Sequence, residues 1–185
     1  MSMRTVYLLC HEGAETGHTT GPSEGGRAPG VGRLLIERVS ERTLAWPLER
    51  VFVGQGAGHE MAEAVAEAHP EARLETNAVW DSPAGGESGF WERTCSALDQ
   101  LLQTMDGDGS GHVAVVCDDR TINALVCHFM GRPEPDWDCL PFLVTPGSTS
   151  ALRTNPESHW GTRWVRWVND VRHLEGLGLA GDERD

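Results

Sequence analysis

Short apolar runs alternate with segments of helical periodicity along this chain, and this alternation constrains its fold more than any other feature. Residues 5–9, 50–53 and 112–116 have the length and apolar character of buried strands. Residues 59–68 and 88–105 place their apolar side chains at the spacing of one helix face. Strands that alternate with helices favour a mostly parallel sheet covered on both faces. We therefore predict an α/β fold, a three-layer α/β/α sandwich around a mostly parallel sheet.

Weaker signals complete this pattern without adding a second domain. The remaining predicted elements are, in chain order, a helix over 23–42, a strand over 72–74, a helix from Asp118 or Asp119 to about Met130, a strand over 142–144 and a hairpin over 148–153 and 160–167. No internal repeat and no linker marks a domain boundary. We predict one domain over residues 1–185, with a frayed tail over 176–185.

The chain is strongly acidic, with a net charge of -13, and its 15 basic residues are all arginine. Nucleic-acid binding requires basic patches, so this balance argues against a nucleic-acid partner. No stretch approaches the ~18 apolar residues of a membrane span, and the first residues lack the apolar core of a secretory signal. We therefore predict a cytoplasmic protein without a membrane partner. A composition rich in Gly, Ala and Arg and free of Lys is typical of GC-rich bacterial genomes, which favours a role in specialised metabolism.

The five cysteines include no C-x-x-C pair, which in a cytoplasmic chain predicts reduced thiols. Cys95, Cys127 and Cys139 lie in apolar surroundings and are predicted to be small core residues. Cys10 and Cys117 differ from these, because each directly follows a predicted strand.

Two predicted strands end in unusual polar sequences, Cys10-His11-Glu12 and Cys117-Asp118-Asp119. Ligands of parallel sheets bind at the carboxyl ends of the strands. A histidine beside a carboxylate is a suitable proton shuttle near neutral pH. The sequence therefore predicts that a site lies at these strand ends.

Six short segments, taken in order, form a recognisable pattern. Residues 6–13 read as a strand that leads into Cys-His-Glu-Gly, and residues 113–133 as a strand, a polar turn and a helix that ends before proline. The other four segments are residues 23–27, 61–66, 86–93 and 169–174. Together they resemble the histidine phosphatase superfamily, the phosphoglycerate mutase-like proteins, whose two strand ends carry Arg-His-Gly and Ser-His-Gly. The resemblance implies a phosphoglycerate mutase-like fold with one site built from both strand ends.

The resemblance also implies a phosphoryl-transfer site, from which this chain departs. That family uses one histidine as the nucleophile, and two arginines with a second histidine to neutralise the phosphoryl oxygens. His11 matches the nucleophile, whereas Cys10 stands in place of the first arginine and Asp118 in place of the second histidine. The second arginine falls within residues 54–59, which contain none.

These replacements make the predicted site neutral or anionic instead of cationic. Losing one charge-stabilising donor costs ~2.7–4 kcal/mol of transition-state stabilisation, so the combined loss exceeds ~10⁴-fold in rate. The family's acidic segment is also shortened, and Asp81 and Glu75 are the candidates to replace its general acid. We therefore predict a degenerate active site that has lost phosphate chemistry.

The favoured prediction is a repurposed enzyme in which His11 is the general acid or base, with Asp118 and Glu87 as further catalytic residues. Glu87 precedes a capping serine, so a helix-start charge is its alternative role. The predicted substrate is a small uncharged or cationic molecule. The predicted substrate-binding residues are Cys10, Glu12, Cys117, Asp119, Arg120 and His59. The candidates for an apolar pocket wall are Trp80, Trp91 and Trp137, although core packing is the commoner role of tryptophan.

Three alternatives stay open. The chain is a pseudoenzyme that binds a ligand or partner through the same pocket, or it is an atypical phosphatase or phosphomutase with phosphohistidine at His11, where Arg120 and His59 replace the lost groups. Alternatively, Cys10, His11, Cys117 and Asp118 hold Zn²⁺. Adjacent residues rarely ligate one ion together, so we predict no metal and no other cofactor. The expected partner is a small molecule, and a homodimer is left open.

Overall fold

The structure, a computed structural model, describes residues 3–11, 31–83, 88–105, 111–135, 141–155 and 162–177. Its strands are β1 (Arg4–Cys10), β2 (Arg50–Val53), β3 (Arg73–Thr76), β4 (His112–Cys117), β5 (Thr149–Asn155) and β6 (Thr162–Asp170). They form one six-stranded sheet in the order β3-β2-β4-β1-β5-β6. The first four strands of this order run parallel, while β5 is antiparallel to both of its neighbours. The predicted mostly parallel sheet is confirmed.

Helices cover both faces of the sheet. They are α1 (Val31–Thr43), α2 (His59–Ala68), α3 (Phe90–Thr104) and α4 (Asp119–Phe129), with 3₁₀ turns at Ala78–Trp80 and Arg172–Leu174. One hydrophobic cluster packs α3 and α4 against the sheet, and a second packs α1 and α2 against the opposite face. The three-layer arrangement is therefore confirmed. No helix within the described residues is both long and apolar enough to cross a bilayer.

The central strands are apolar at nearly every position because both of their faces are buried. Successive side chains of a strand point to opposite faces. Val6, Leu8 and Cys10 accordingly belong to the cluster on the α3/α4 face, and Tyr7 and Leu9 to the cluster on the α1/α2 face. This double burial turns an alternating pattern into the continuous apolar run seen in the sequence.

One predicted strand, over residues 142–144, is wrong. This stretch is irregular because its backbone pairs with a side chain and not with a neighbouring strand. The buried Asn123 amide of α4 donates to the Phe142 carbonyl at 3.0 Å and accepts from the Phe142 amide at 3.0 Å. The other predicted elements agree with the structure to within a few residues, apart from the first part of the helix over 23–42 and the tail from 178, which lie outside the described residues.

Backbone hydrogen bonds to the loop that precedes β5 hold the end of β1 in place. The Gly147 amide donates to the Cys10 carbonyl at 2.7 Å, and the Cys10 amide donates to the Ser148 carbonyl at 3.0 Å. The His173 imidazole donates to the Gly147 carbonyl at 2.8 Å, and the Asn169 side chain accepts from the Thr145 amide at 2.8 Å. These bonds hold the backbone that presents His11.

Candidate functional site

The two polar strand ends meet, as the sequence predicts. β1 and β4 are adjacent and parallel, with Cys10 in register with Cys117. The His11 amide continues this ladder by donating to the Cys117 carbonyl at 3.1 Å. His11 and Asp118 therefore leave the sheet at the same edge. The imidazole of His11 is largely buried, with only 8% of the residue exposed.

His11 lies in a field of carboxylates. Burial lowers the pKa of its imidazole below the usual value of 6.5, and this effect outweighs the negative charges of Asp118, Asp81 and Asp119, which raise it. Since burial dominates, His11 is uncharged at neutral pH and can accept a proton.

A glycine permits the close packing of this ring. Gly58, just before α2, has a φ of +92°, a conformation that favours glycine. A Cβ atom placed there would lie 2.7 Å from Cδ2 of His11 and 3.1 Å from Cγ1 of Val116. The backbone before α2 therefore forms one wall of the imidazole site.

Asp118 caps α4 and is held in a fixed orientation. Its carboxylate accepts from the Thr121 amide at 2.7 Å, which is the N-cap bond of the helix, and it also accepts from the Ser82 hydroxyl. Asp119 follows in the first turn and reaches solvent. Partial loss of solvation nevertheless raises the pKa of its carboxyl, and the adjacent Asp118 charge raises it further.

Asp81 is the third carboxylate, and it is bound by backbone amides. It accepts from the Gln55 amide at 2.7 Å and from the Gly56 amide at 3.2 Å, both in the loop after β2. The next residue, Ser82, binds Asp118 at the end of β4. The Asp81-Ser82 segment therefore connects the ends of β2 and β4 directly beside His11. Sequence reasoning named Asp81 as a candidate acid but missed Ser82.

The chain that carries these contacts matches a known protein family. Residues 49–170 match the histidine phosphatase superfamily (branch 1). The chain belongs to this superfamily. No curated protein shows significant sequence similarity to it.

Solved histidine phosphatase-like structures share its fold. The Bacillus stearothermophilus protein YhfR is 17% identical, with 93% of this chain and 100% of that chain covered and a TM-score of 0.67. A phosphoglycerate mutase from Bacillus anthracis str. Sterne is 14% identical, with 94% and 96% covered and a TM-score of 0.68. A mycobacterial glucosyl-3-phosphoglycerate phosphatase is 16% identical, with 90% and 98% covered and a TM-score of 0.65. At these identities the likeness shows the fold, which is phosphoglycerate mutase-like as predicted.

In this histidine phosphatase fold the two strand-end thiols face the core. Cys10 and Cys117 are 1% and 0% exposed and belong to the hydrophobic cluster on the α3/α4 face. Burial raises the pKa of both thiols, and the nearby Asp118 and Asp119 charges raise it further. The predicted substrate contacts of both cysteines are therefore replaced by a packing role.

The other predicted site residues separate into three groups. The Arg120 guanidinium lies over the Phe90 ring of α3 at 5.4 Å, and its predicted substrate contact stays a prediction. His59 is the first residue of α2, next to Gly58. Glu75 is exposed on β3 and does not join the carboxylates around His11. Glu12 and Glu87 lie outside the described residues.

Two of the three tryptophan candidates for an apolar pocket wall are described, and both make packing contacts, the commoner role of tryptophan. Trp80 is buried in the core beside Phe52, at 6.1 Å between ring centroids, and Trp91 makes an edge contact with His128. Trp137 lies outside the described residues. No three His, Cys, Asp or Glu side chains in the described ranges are arranged to hold a metal ion.

A cleft of about 410 Å³ opens beside the Asp81-Ser82 segment. Its walls are residues 77–79 and 81–83, together with Arg93 of α3. Asp81 belongs to this wall and its charge also acts on His11, although His11 itself does not line the cleft. It has the size of a small-molecule site.

Buried histidines predict how stability depends on pH. Burial lowers the pKa of His11, His69, His112 and His173, so below about pH 6.5 the unfolded chain binds more protons than the folded one. The free energy of unfolding should therefore keep its full value above about pH 7 and decrease as the pH falls towards about 5. Urea unfolding at constant ionic strength measures this slope, and His11→Gln should reduce it. A stability that rises on acidification would contradict the assignment.

Proposed function

We propose that this protein performs acid–base chemistry on a small uncharged or cationic molecule, with the neutral imidazole of His11 as the proton acceptor. The observation that carries the proposal is the set of three carboxylates, Asp81, Asp118 and Asp119, around a buried neutral histidine. A base of this kind removes a proton in isomerisation, dehydration, cyclisation or hydrolysis.

The carboxylates favour transfer of a proton to His11. When His11 accepts a proton, the resulting imidazolium is stabilised by the negative charges of Asp118 and Asp81. Asp118 keeps its orientation through Thr121 and Ser82, so its charge is preorganised for this step. Asp119 retains protons to higher pH than an ordinary aspartate, which suits it to return a proton to the product.

The same residues argue against efficient phosphoryl transfer. A phosphate dianion at the strand ends would meet the charges of Asp118, Asp81 and Asp119. Cys10, in place of the first family arginine, is buried and adds no positive charge. These features support the prediction of a site that has changed from anion binding to proton transfer.

Phosphatase or phosphomutase action through phosphohistidine at His11 is the second candidate, because the chain belongs to the histidine phosphatase superfamily. Hydrolysis of p-nitrophenyl phosphate between about pH 4 and pH 9 separates the two. Wild type should show no turnover above that of His11→Ala, with His128→Ala, at the far end of α4 from Asp118, as the matched histidine control. Turnover that disappears only in His11→Ala would sink the acid–base proposal and establish the phosphatase.

A ligand screen tests directly whether the protein binds and converts uncharged or cationic small molecules. Matched sets of uncharged, cationic and anionic small molecules are compared by their effect on the melting temperature of wild type and Asp118→Asn. Uncharged or cationic compounds should stabilise wild type, and incubation should convert at least one of them in a reaction that His11→Ala abolishes. Compounds that bind without being converted would indicate the pseudoenzyme alternative. Stabilisation by anions alone would count against both.

The wider setting remains part of this proposal. The cytoplasmic location, the bacterial origin, the role in specialised metabolism and the absence of nucleic-acid and membrane partners rest on composition. A small-molecule partner is supported by the cleft that Asp81 and Ser82 line. No cofactor enters the proposed chemistry, because a histidine and carboxylates suffice for proton transfer.

A further inference from the structure

The loop after β2 binds an anion that belongs to the chain itself. The amides of Gln55 and Gly56 point in one direction and donate to the two carboxylate oxygens of Asp81, at 2.7 Å and 3.2 Å. Successive backbone N–H groups of this kind form an anion-binding nest. The carboxylate presents two acceptor oxygens to the nest, as an oxyanion ligand would. It is supplied by a residue 25 positions away from Gly56.

Glycine makes the space that the carboxylate fills. A Cβ atom on Gly54 would lie 1.8 Å from Oδ1 of Asp81, which is far inside van der Waals contact. A Cβ atom on Gly56 would lie 3.3 Å from the same oxygen. The loop therefore leaves room for an oxygen at this position. Glycine is needed at both positions because a side chain would crowd the carboxylate, and not because the chain turns there.

The Asp81 carboxylate is also close to the functional histidine. Its charge acts on His11, and the adjacent Ser82 hydroxyl binds Asp118 at the end of the next strand. An anion that bound these two amides would have to displace Asp81 from them. A tethered carboxylate competes at an effective concentration of millimolar or more.

We propose that Gln55 and Gly56 form an oxyanion-binding nest that Asp81 occupies in place of a ligand, and that Asp81 thereby excludes phosphate and other oxyanions from the site. Asp81 is on this basis a specificity-determining residue. The inference goes beyond the proposed function and does not rest on it, because it concerns the binding of an anion and involves no catalytic step.

Inorganic phosphate is the probe that tests this assignment. Its binding is measured by titration calorimetry and by the amide NMR shifts of Gln55 and Gly56, in wild type, Asp81→Ala and Asp81→Asn, with ionic strength held constant by chloride. Asp81→Ala should bind phosphate at least about tenfold more tightly than wild type and move both amide resonances, because the competing carboxylate is gone. Asp81→Asn should lie between them, since it keeps one acceptor oxygen.

Two controls separate the nest from general charge. Glu75→Gln removes a carboxylate from exposed β3 and should leave phosphate binding unchanged. Gly54→Ala expels the Asp81 carboxylate but fills the same space with its methyl group, so it should gain no phosphate affinity. Equal gains in Glu75→Gln and Asp81→Ala, or no gain in a folded Asp81→Ala, would overturn the inference. Its failure is distinct from failure of the acid–base proposal, which is decided by turnover that depends on His11.

Discussion

Gly58→Ala should lower the free energy of unfolding by about 3 kcal/mol and displace the imidazole of His11. A side chain at a φ of +92° costs about 1 kcal/mol or more in backbone strain. The new methyl would also lie 2.7 Å from Cδ2 of His11 and 3.1 Å from Val116, and overpacking of this kind costs ~1–3 kcal/mol. Urea unfolding measures the stability, and the imidazole NMR signals of His11 report the displacement.

Gly89→Ala is the matched control for this variant. Gly58 and Gly89 are both N-cap residues with positive φ, before α2 and α3 respectively. A Cβ atom on Gly89 meets none of the described residues within 4 Å, so its substitution should cost only the backbone strain of about 1 kcal/mol. The difference between the variants isolates the contact with His11. Equal losses in the two variants would mean that the ring does not pack against Gly58.

The sheet could be predicted because its central strands carry their own signature. β1 and β4 are buried on both faces, so their residues are apolar without interruption and stand out from the helical segments. Helix α2 was predicted at its observed bounds, because its Ala/Glu-rich sequence alternates buried and exposed positions at helical spacing. The pairing of β1 with β4 brings His11 and Asp118 to the same edge of the sheet, and this was implied by the family resemblance and not by the apolar pattern.

The direction of the two strand-end thiols follows from the period of two that governs every strand. Cys10 follows Val6 and Leu8 at the period of two that defines one face of a strand, and Cys117 follows Val113 and Val115 in the same way. Both cysteines therefore face the core, whereas the residue after each of them reaches the site. Side chains alternate between the two faces up to the last residue of a strand, whatever sequence follows.

The Asp81-Ser82 segment could not be predicted from the sequence by any comparable pattern. Its place depends on two backbone amides of the loop after β2 and on the absence of a side chain at Gly54. Backbone amides are present at every residue except proline, so they leave no trace in composition or periodicity. The irregular stretch at residues 142–144 was missed for a similar reason, since its bonds to Asn123 join side chain to backbone over long sequence distance.

Asp118→Ala should lower the free energy of unfolding by about 2 kcal/mol, whereas Asp118→Asn should retain most of the stability. Alanine removes the N-cap bond to Thr121 and the bond to Ser82, and the loss of a cap alone costs ~0.5–2 kcal/mol. Asparagine caps a helix nearly as well as aspartate but carries no charge. Unfolding in urea compares the two variants with wild type.

Both Asp118 variants should shift the titration of the site in the same direction, which separates charge from capping. The Asp118 charge raises the pKa of His11 by stabilising the imidazolium, and it raises the pKa of Asp119 by repelling a second carboxylate. Removing the charge should therefore lower both pKa values in Asp118→Asn as well as in Asp118→Ala, as measured by NMR titration. A pKa of His11 that shifts in Asp118→Ala but not in Asp118→Asn would show that helix capping, and not the carboxylate charge, controls the histidine. In that case Asp118 would position the site without assisting the proton transfer.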